Sequence, residues 1–254
     1  MQRFYTLFVG QVFHDLPQVD STNSFALDLL TKSKPSEGTV ISTLHQTNGR
    51  GQIGSSWESE PGKNISLSII LYPSFLPAHL QFQFSQAISL AVYDLVFSFF
   101  GEKARIKWPN DIYVGQKKVA GILIQNSIAG SHLRSSVAGI GINVNQESFK
   151  SNPPNPTSFF LENGKFYDLG GLIAPLLQFV EKRYLQLKSG KIVPLQHSYL
   201  EALYRFDEDA LFQRANGDNF MGRISGVTAS GRLIISVQHQ EETFDHKEIR
   251  FCHS

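Results

Sequence analysis

Residues 107–111 read Lys-Trp-Pro-Asn-Asp, and shortly afterwards Lys117 and Lys118 open the apolar run Val119-Ala120-Gly121-Ile122-Leu123-Ile124. Pro109 fixes its own φ and biases Trp108 away from the helical region, so Lys107, Asn110 and Asp111 are presented by a rigid bend. A bend of that kind can hold polar chemistry at a fixed geometry. The bland alternative is a turn with solvated side chains, for which this density of polar and aromatic groups is unusual. A lysine at the lip of a buried strand can put a point charge on a ligand phosphate. Taken alone, Lys118 also reads as an ordinary surface lysine, as does Lys117.

A second stretch, His45 to Trp57, packs Gly49, Gly51 and Gly54 around Arg50. Glycine supplies positive φ and lets backbone approach a ligand closely, and arginine offers a planar fork suited to carboxylate or phosphate. A long hairpin connection with an exposed arginine fits the same residues. No Gly-Lys-Ser/Thr follows, so the loop is not a Walker A. A strand rather than a helix comes after it, which excludes a Rossmann turn. In the run Gly139-Ile140-Gly141-Ile142-Asn143, the two glycines leave a strand surface on which a flat ring could lie, with Asn143 reading its edge; a packed core strand reads equally well.

Other chemistries lack their residues. The eight histidines form no i, i+4 pair and no His-Glu-x-x-His, and no Gly-x-Ser-x-Gly elbow occurs. Cys252 is the only cysteine, so an intrachain disulfide is excluded and a reducing, cytoplasmic location is expected. Lys+Arg total 23 against Asp+Glu 22, which leaves no bulk positive field for nucleic acid. The N-terminus lacks the pattern of a signal peptide, and no apolar stretch approaches the ~20 residues of a membrane span.

The elements that must position these groups follow from periodicity. Ser21 caps a helix in which Phe25, Leu29 and Leu30 share a face. Residues 39–46 and 64–72 read as strands joined by the glycine loop, and a helix runs from Leu80 to Phe100, ended by Gly101. Residues 104–126 read as strand, bend, short strand, turn at Gly115-Gln116 and longer strand, with another strand over 134–146. After a loop at 151–159, helices span Asp168 or Gly170 to Lys188 and Pro194 to Tyr204. Beyond Arg205, short alternating runs broken at residues 216–218, Gly226 and Ser230-Gly231 have the pattern of a small antiparallel β-barrel. The expected organisation is an α+β domain over residues 1–205 and a β module over 206–254.

Read together, residues 20–26, 46–57, 64–69, 107–114, 117–124 and 139–145 resemble the biotin–protein ligase family in order, spacing and wording. The resemblance covers most of the chain. It implies a class II aminoacyl-tRNA-synthetase-like mixed sheet with helices and an SH3-like C-terminal domain. It also implies an enzyme that uses ATP and Mg²⁺ to turn biotin into biotinyl-5′-AMP. Biotin then passes to a lysine of a biotin carboxyl carrier domain, expected to be that of acetyl-CoA carboxylase. Family members often pair through a sheet edge, which leaves a homodimer open.

By the same resemblance, Ser21, Thr22, Asn23 and Gln46 meet biotin, with the backbone of Gly49 to Gly51 and Lys118 near its carboxylate end. Arg50 and Lys118 are the cations for the developing charge. Trp57 and Asn143 stack on and read the adenine, and Gly51 and Gln52 belong to the nucleotide-binding loop. Lys107, Asn110 and Asp111 organise phosphates or metal, and Asp111 is the candidate to accept a proton from the incoming lysine amine.

Two departures stand out. Only about twenty residues precede Ser21-Thr22-Asn23, short of the ~50 that a DNA-binding domain of some family members needs, so DNA regulation is not expected. Gln52 replaces a second arginine, and losing that charge is expected to weaken retention of the adenylate. The rival readings are a lipoate–protein ligase and a non-catalytic binding module.

Overall fold

The structure is a computed structural model that describes residues 4–52, 55–150 and 155–252. Gly54 of the glycine loop and residues 151–154 of the expected 151–159 loop lie outside the described residues. Seven strands form one sheet: β1 (Phe13–Leu16), β2 (Thr39–Thr43), β3 (Ile65–Leu71), β4 (Ala104–Lys107), β5 (Asp111–Val114), β6 (Lys117–Ala129) and β7 (His132–Ile142). Their order is β1-β2-β3-β7-β6-β5-β4, antiparallel throughout except for the parallel pair β1 and β2.

Register gives the sheet two unlike faces, because successive side chains alternate. Ser66 lies opposite Gly141, Ser68 opposite Gly139, and Gly141 opposite Gly121, so one face has a floor of small residues. On the other face Ile65, Leu67, Ile69, Ala138, Ile140 and Ile142 are buried in the main apolar cluster. That face is covered by α2 (Gln81–Phe100) and α4 (Leu169–Lys188). Asp94 and Arg183 staple these helices through two hydrogen bonds of 2.7 and 2.9 Å.

α2 corrects one expectation. The segment Ala78–Lys103 is long and apolar enough by composition to cross a membrane. Here it is a core helix, with almost every residue from Gln83 to Val92 buried against the sheet and α4. An apolar surface on nearly all sides is what a helix between two layers requires.

The small-residue face carries α1 (Thr22–Lys32), whose N-cap Ser21 accepts from Ser24 N at 3.4 Å. Phe25, Leu29 and Leu30 pack together against a small apolar cluster with Ala26, Ile41, Ile70 and Val137 but are only partly buried, whereas Thr22, Asn23 and Ala26 are buried. A polar first turn is turned inward because the sheet beneath it is polar too.

Three further boundaries differ from periodicity. β1 is four residues long, too short to show alternation, and is defined by pairing with β2. α3 (Phe159–Asn163) is a single turn capped by Ser158, and α5 spans Ile192–Glu201. Past it, β8 (Asp209–Arg214), β9 (Asn219–Val227), β10 (Leu233–Val237), β11 (Gln240–Phe244) and β12 (Ile249–Phe251) form an antiparallel sheet in the order β11-β10-β9-β8-β12. Gly226 does not break β9; the strand runs through it, with a bulge absorbing the register shift. Phe212, Ile224, Leu233, Ile235 and Phe244 join the same buried cluster as the large sheet.

Candidate active site

The polar first turn of α1 and the small-residue floor face a narrow cavity, about 500 Å³ of empty space with its open mouth included. The segment after β2 runs beside the residues before α1: Val19 N donates to His45 O and Thr47 N to Val19 O, each at 3.0 Å. That pairing brings Gln46 to the helix start, where its Oε1 accepts from Thr22 N at 2.9 Å. Ser68 Oγ sits 2.7 Å from Thr22 Oγ1 and 2.6 Å from Asn23 Oδ1. Asn23 Nδ2 donates to Leu123 O at 3.2 Å, which orients its amide. Ser21, Thr22, Asn23 and Gln46 therefore come together on one cavity wall. Asn23 is anchored to the sheet on both its amide atoms.

Residues 49–52 pair with residues 55–57, making the hairpin arms that carry Arg50 and Trp57. Trp57 N donates to Gly49 O at 2.9 Å and Gly51 N to Ser55 O at 3.0 Å. Gly49 and Gly51 are absent from the residues with positive φ, so that part of the sequence expectation is corrected. Gly49 is needed for close approach instead, since a Cβ there would overlap the carbonyl oxygen of Trp57. Arg50 is exposed at the cavity, and among the described residues no carboxylate lies within ion-pair distance of it. Gln52 Nε2 donates to Asn110 Oδ1 at 3.0 Å, tying the hairpin to the bend.

Trp57 corrects a second expectation. The flat ring on the glycine strand is its own indole: a Cβ at Gly141 would overlap Cε2, and one at Gly121 would reach Cζ3 at 3.0 Å. The space above Gly139 is filled by the Asn23 amide. Beyond Trp57 a wider cleft opens, to which Asn143 contributes. Asn143 Nδ2 donates to Thr157 O at 2.9 Å, and its Oδ1 is buried without a hydrogen-bond partner among the described residues. An orphaned buried acceptor calls for a reason.

The bend at residues 108–111 is pinned from three sides, and its Trp108–Pro109 peptide is cis. Trp108 Nε1 donates to Gly231 O at 2.9 Å, Tyr199 OH to Pro109 O at 2.8 Å, and Asn110 Nδ2 to Ile122 O at 2.6 Å. Asp111 Oδ1 meets Lys118 Nζ at 2.7 Å. A bulge between β5 and β6 makes that meeting, because the register shifts between Ile112 and Tyr113 and aims Lys118 back at Asp111. Lys118 Nζ also stands 5.7 Å from the Trp57 ring centroid.

Lys107 is drawn aside from this pair. Its Nζ donates to Tyr113 OH at 3.1 Å and lies over the rings of Tyr113 and Phe251, at 4.9 and 5.2 Å from their centroids. Burial lowers its pKa from the usual lysine value, partly offset by Asp111. The C-terminal strands complete the cleft with His246, Ile249, Arg250 and Phe251. Nothing in the local sequence marks His246 or Arg250; they reach the cleft through the packing of one sheet on the other.

The donor set does not make a cage for Mg²⁺. Among the described residues no three His, Cys, Asp or Glu side chains cluster, and Asp111, the expected neighbour of the metal, is engaged by Lys118. A magnesium ion keeps several waters and is commonly held by substrate phosphates with one or two carboxylates.

Residues 16–143 match the biotin/lipoate A/B protein ligase family. The bifunctional ligase/repressor BirA of Bacillus spizizenii is 31% identical over 92% of this chain and 72% of its own. The biotin–[acetyl-CoA-carboxylase] ligase of Paracoccus denitrificans is 29% identical over 87% of this chain and 92% of its own. In fold, the chain is similar to a biotin protein ligase from Aquifex aeolicus in complex with biotin and ATP. The TM-score is 0.78 at 23% identity, over 95% of this chain and 100% of that one. The sheet, the hairpin around Arg50 and the Asp111–Lys118 pair lie where the shared sequence lies, and the chain belongs to the biotin/lipoate A/B protein ligase family.

Proposed function

We propose that the chain is an ATP-dependent biotin–protein ligase that forms biotinyl-5′-AMP and transfers biotin to a lysine of the biotin carboxyl carrier domain of acetyl-CoA carboxylase. The observation that carries this reading is the placing of Trp57, Asp111 and Lys118 on the walls of both cavities. The narrow cavity has the amide and hydroxyl groups that suit a ureido ring: Ser21, Thr22 and Gln46. The wider cleft has the cations and the orphaned Asn143 acceptor that suit a nucleotide.

A carboxylate entering from the narrow side meets the α-phosphorus of ATP beside Lys118. Its oxygen attacks phosphorus, and the bond to pyrophosphate breaks. Both partners are anions, so Lys118 and Arg50 lower the barrier by countering charge that grows in the transition state. The indole of Trp57 offers a face to the adenine, and Asn143 Oδ1 an acceptor to its amino group. Asn110, Gln52 and Lys107 line the phosphate side. Mg²⁺ would be held by the triphosphate itself with at most one or two carboxylates of the chain, and would supply countercharge to the phosphates.

Biotin-dependent ATP–pyrophosphate exchange tests the reading. Exchange with biotin and not with lipoate is the expected result; exchange with lipoate alone would make the chain a lipoate ligase, and biotin binding without exchange a non-catalytic module.

A further inference from the structure

We propose that His246, carried by the turn between β11 and β12, takes the proton from the incoming lysine amine in the transfer step. The proposal rests on the ligase reading and assigns that reaction a base from the C-terminal sheet. Two observations carry it: His246 lines the wider cleft, and it stands exposed at its mouth, 6.1 Å between ring centroids from Trp108.

The other titratable groups of the cleft are occupied. Asp111 is engaged by Lys118, and Glu58 accepts from Gln146 Nε2 at 3.2 Å and Lys150 N at 2.8 Å. Lys107 donates to Tyr113, whose own hydroxyl is pushed far above its usual pKa by burial. Arg250 is a permanent cation. Although the ring is exposed at the mouth, partial desolvation by the cleft wall is the largest influence on the His246 imidazole and pushes its pKa below the usual histidine value. Asp111 pulls it up, and Lys247 and Lys118 push it down. The lowered pKa favours the neutral ring, whose free nitrogen can accept a proton.

The step balances simply. The carrier lysine arrives as an ammonium and gives one proton to a ring nitrogen of His246. The freed nitrogen lone pair attacks the acyl carbon of biotinyl-AMP, and the carbon–oxygen bond to phosphate breaks with its electron pair leaving on AMP. The second amine proton passes to water as the amide forms.

The test is single-turnover transfer from added biotinyl-AMP to a carrier domain, which bypasses adenylation, followed from pH 5.5 to 8.5. The wild-type rate should fall as pH drops and His246 is protonated. His246→Gln should transfer at least ~100-fold more slowly at pH 7. It should also lose that acid inflection, and added imidazole should restore the rate of His246→Ala. Transfer by His246→Gln at the wild-type rate, or a slower rate that keeps the inflection and ignores imidazole, would overturn the proposal. Failure of the wild-type chain to transfer at all would overturn the ligase reading itself. A variant that does not fold is set aside by its melting curve, and the wild-type pH profile together with His246→Asn then decides.

Discussion

Lys118 Nζ and Asp111 Oδ1 stand 2.7 Å apart across the β5–β6 bulge, each side chain a little under a third exposed. At that exposure an ion pair adds only ~0–1 kcal/mol to stability, so its importance lies in where it holds the ammonium. The carboxylate fixes Lys118 between the two cavities, below the hairpin that carries Arg50.

Removing the cation should therefore cost catalysis more than folding. Lys118→Ala is expected to lower the rate of biotin-dependent exchange by ~10²–10³-fold, the scale for losing one preorganised group aimed at developing charge. Asp111→Asn should lower it by less, with a melting temperature close to that of the wild type. Exchange at the wild-type rate in Lys118→Ala would contradict the role given to Lys118.

Gly141→Ala tests the indole floor. A Cβ at this position overlaps Trp57, so the ring must leave its seat, at a cost of ~1–3 kcal/mol typical of overpacking. KM for ATP should rise at least ~tenfold with a change in tryptophan emission, and KM for biotin should rise as well, because Gly141 and Trp57 also wall the narrow cavity. An unaltered KM for ATP would detach Trp57 from nucleotide binding.

Much of this was legible in the residues themselves. Lys107 to Asp111, Lys118 and the glycine loop are local motifs, and the helices over 81–100 and 169–188 follow from apolar spacing. What stayed hidden depends on distant partners. β1 exists through pairing with β2, and the buried polar face of α1 through the sheet it meets. Gly139 and Gly141 read equally well as a bare strand surface or as a packed core strand, and only the fold reveals that Asn23 and Trp57 fill the space above them. His246 is invisible to local reading because it enters from the second sheet.

Gln52 occupies the position where family resemblance places a second arginine, and here it bonds to Asn110 at 3.0 Å. A neutral hydrogen bond contributes ~0.5–1.5 kcal/mol, less than a charge-assisted bond to phosphate at ~1.5–3 kcal/mol. Gln52→Arg should therefore slow release of biotinyl-AMP, measured by chase with unlabelled adenylate. Equal release rates would make the substitution neutral.

Trp108 joins the bend to the C-terminal sheet through Gly231 O. Trp108→Phe keeps the ring packing and loses the bond, which should destabilise the protein by ~1 kcal/mol in denaturant unfolding. Because the C-terminal strands wall the nucleotide cleft, KM for ATP should rise more than KM for biotin. Equal changes in both would mean that the contact acts on folding alone.

The most direct test of the central claim is intact-mass spectrometry of a biotin carboxyl carrier domain after incubation with the recombinant protein, ATP and biotin. The account predicts a mass gain of one biotin on one lysine, dependent on ATP and lost with Lys118→Ala. An unmodified carrier beside a folded, biotin-binding protein would contradict it.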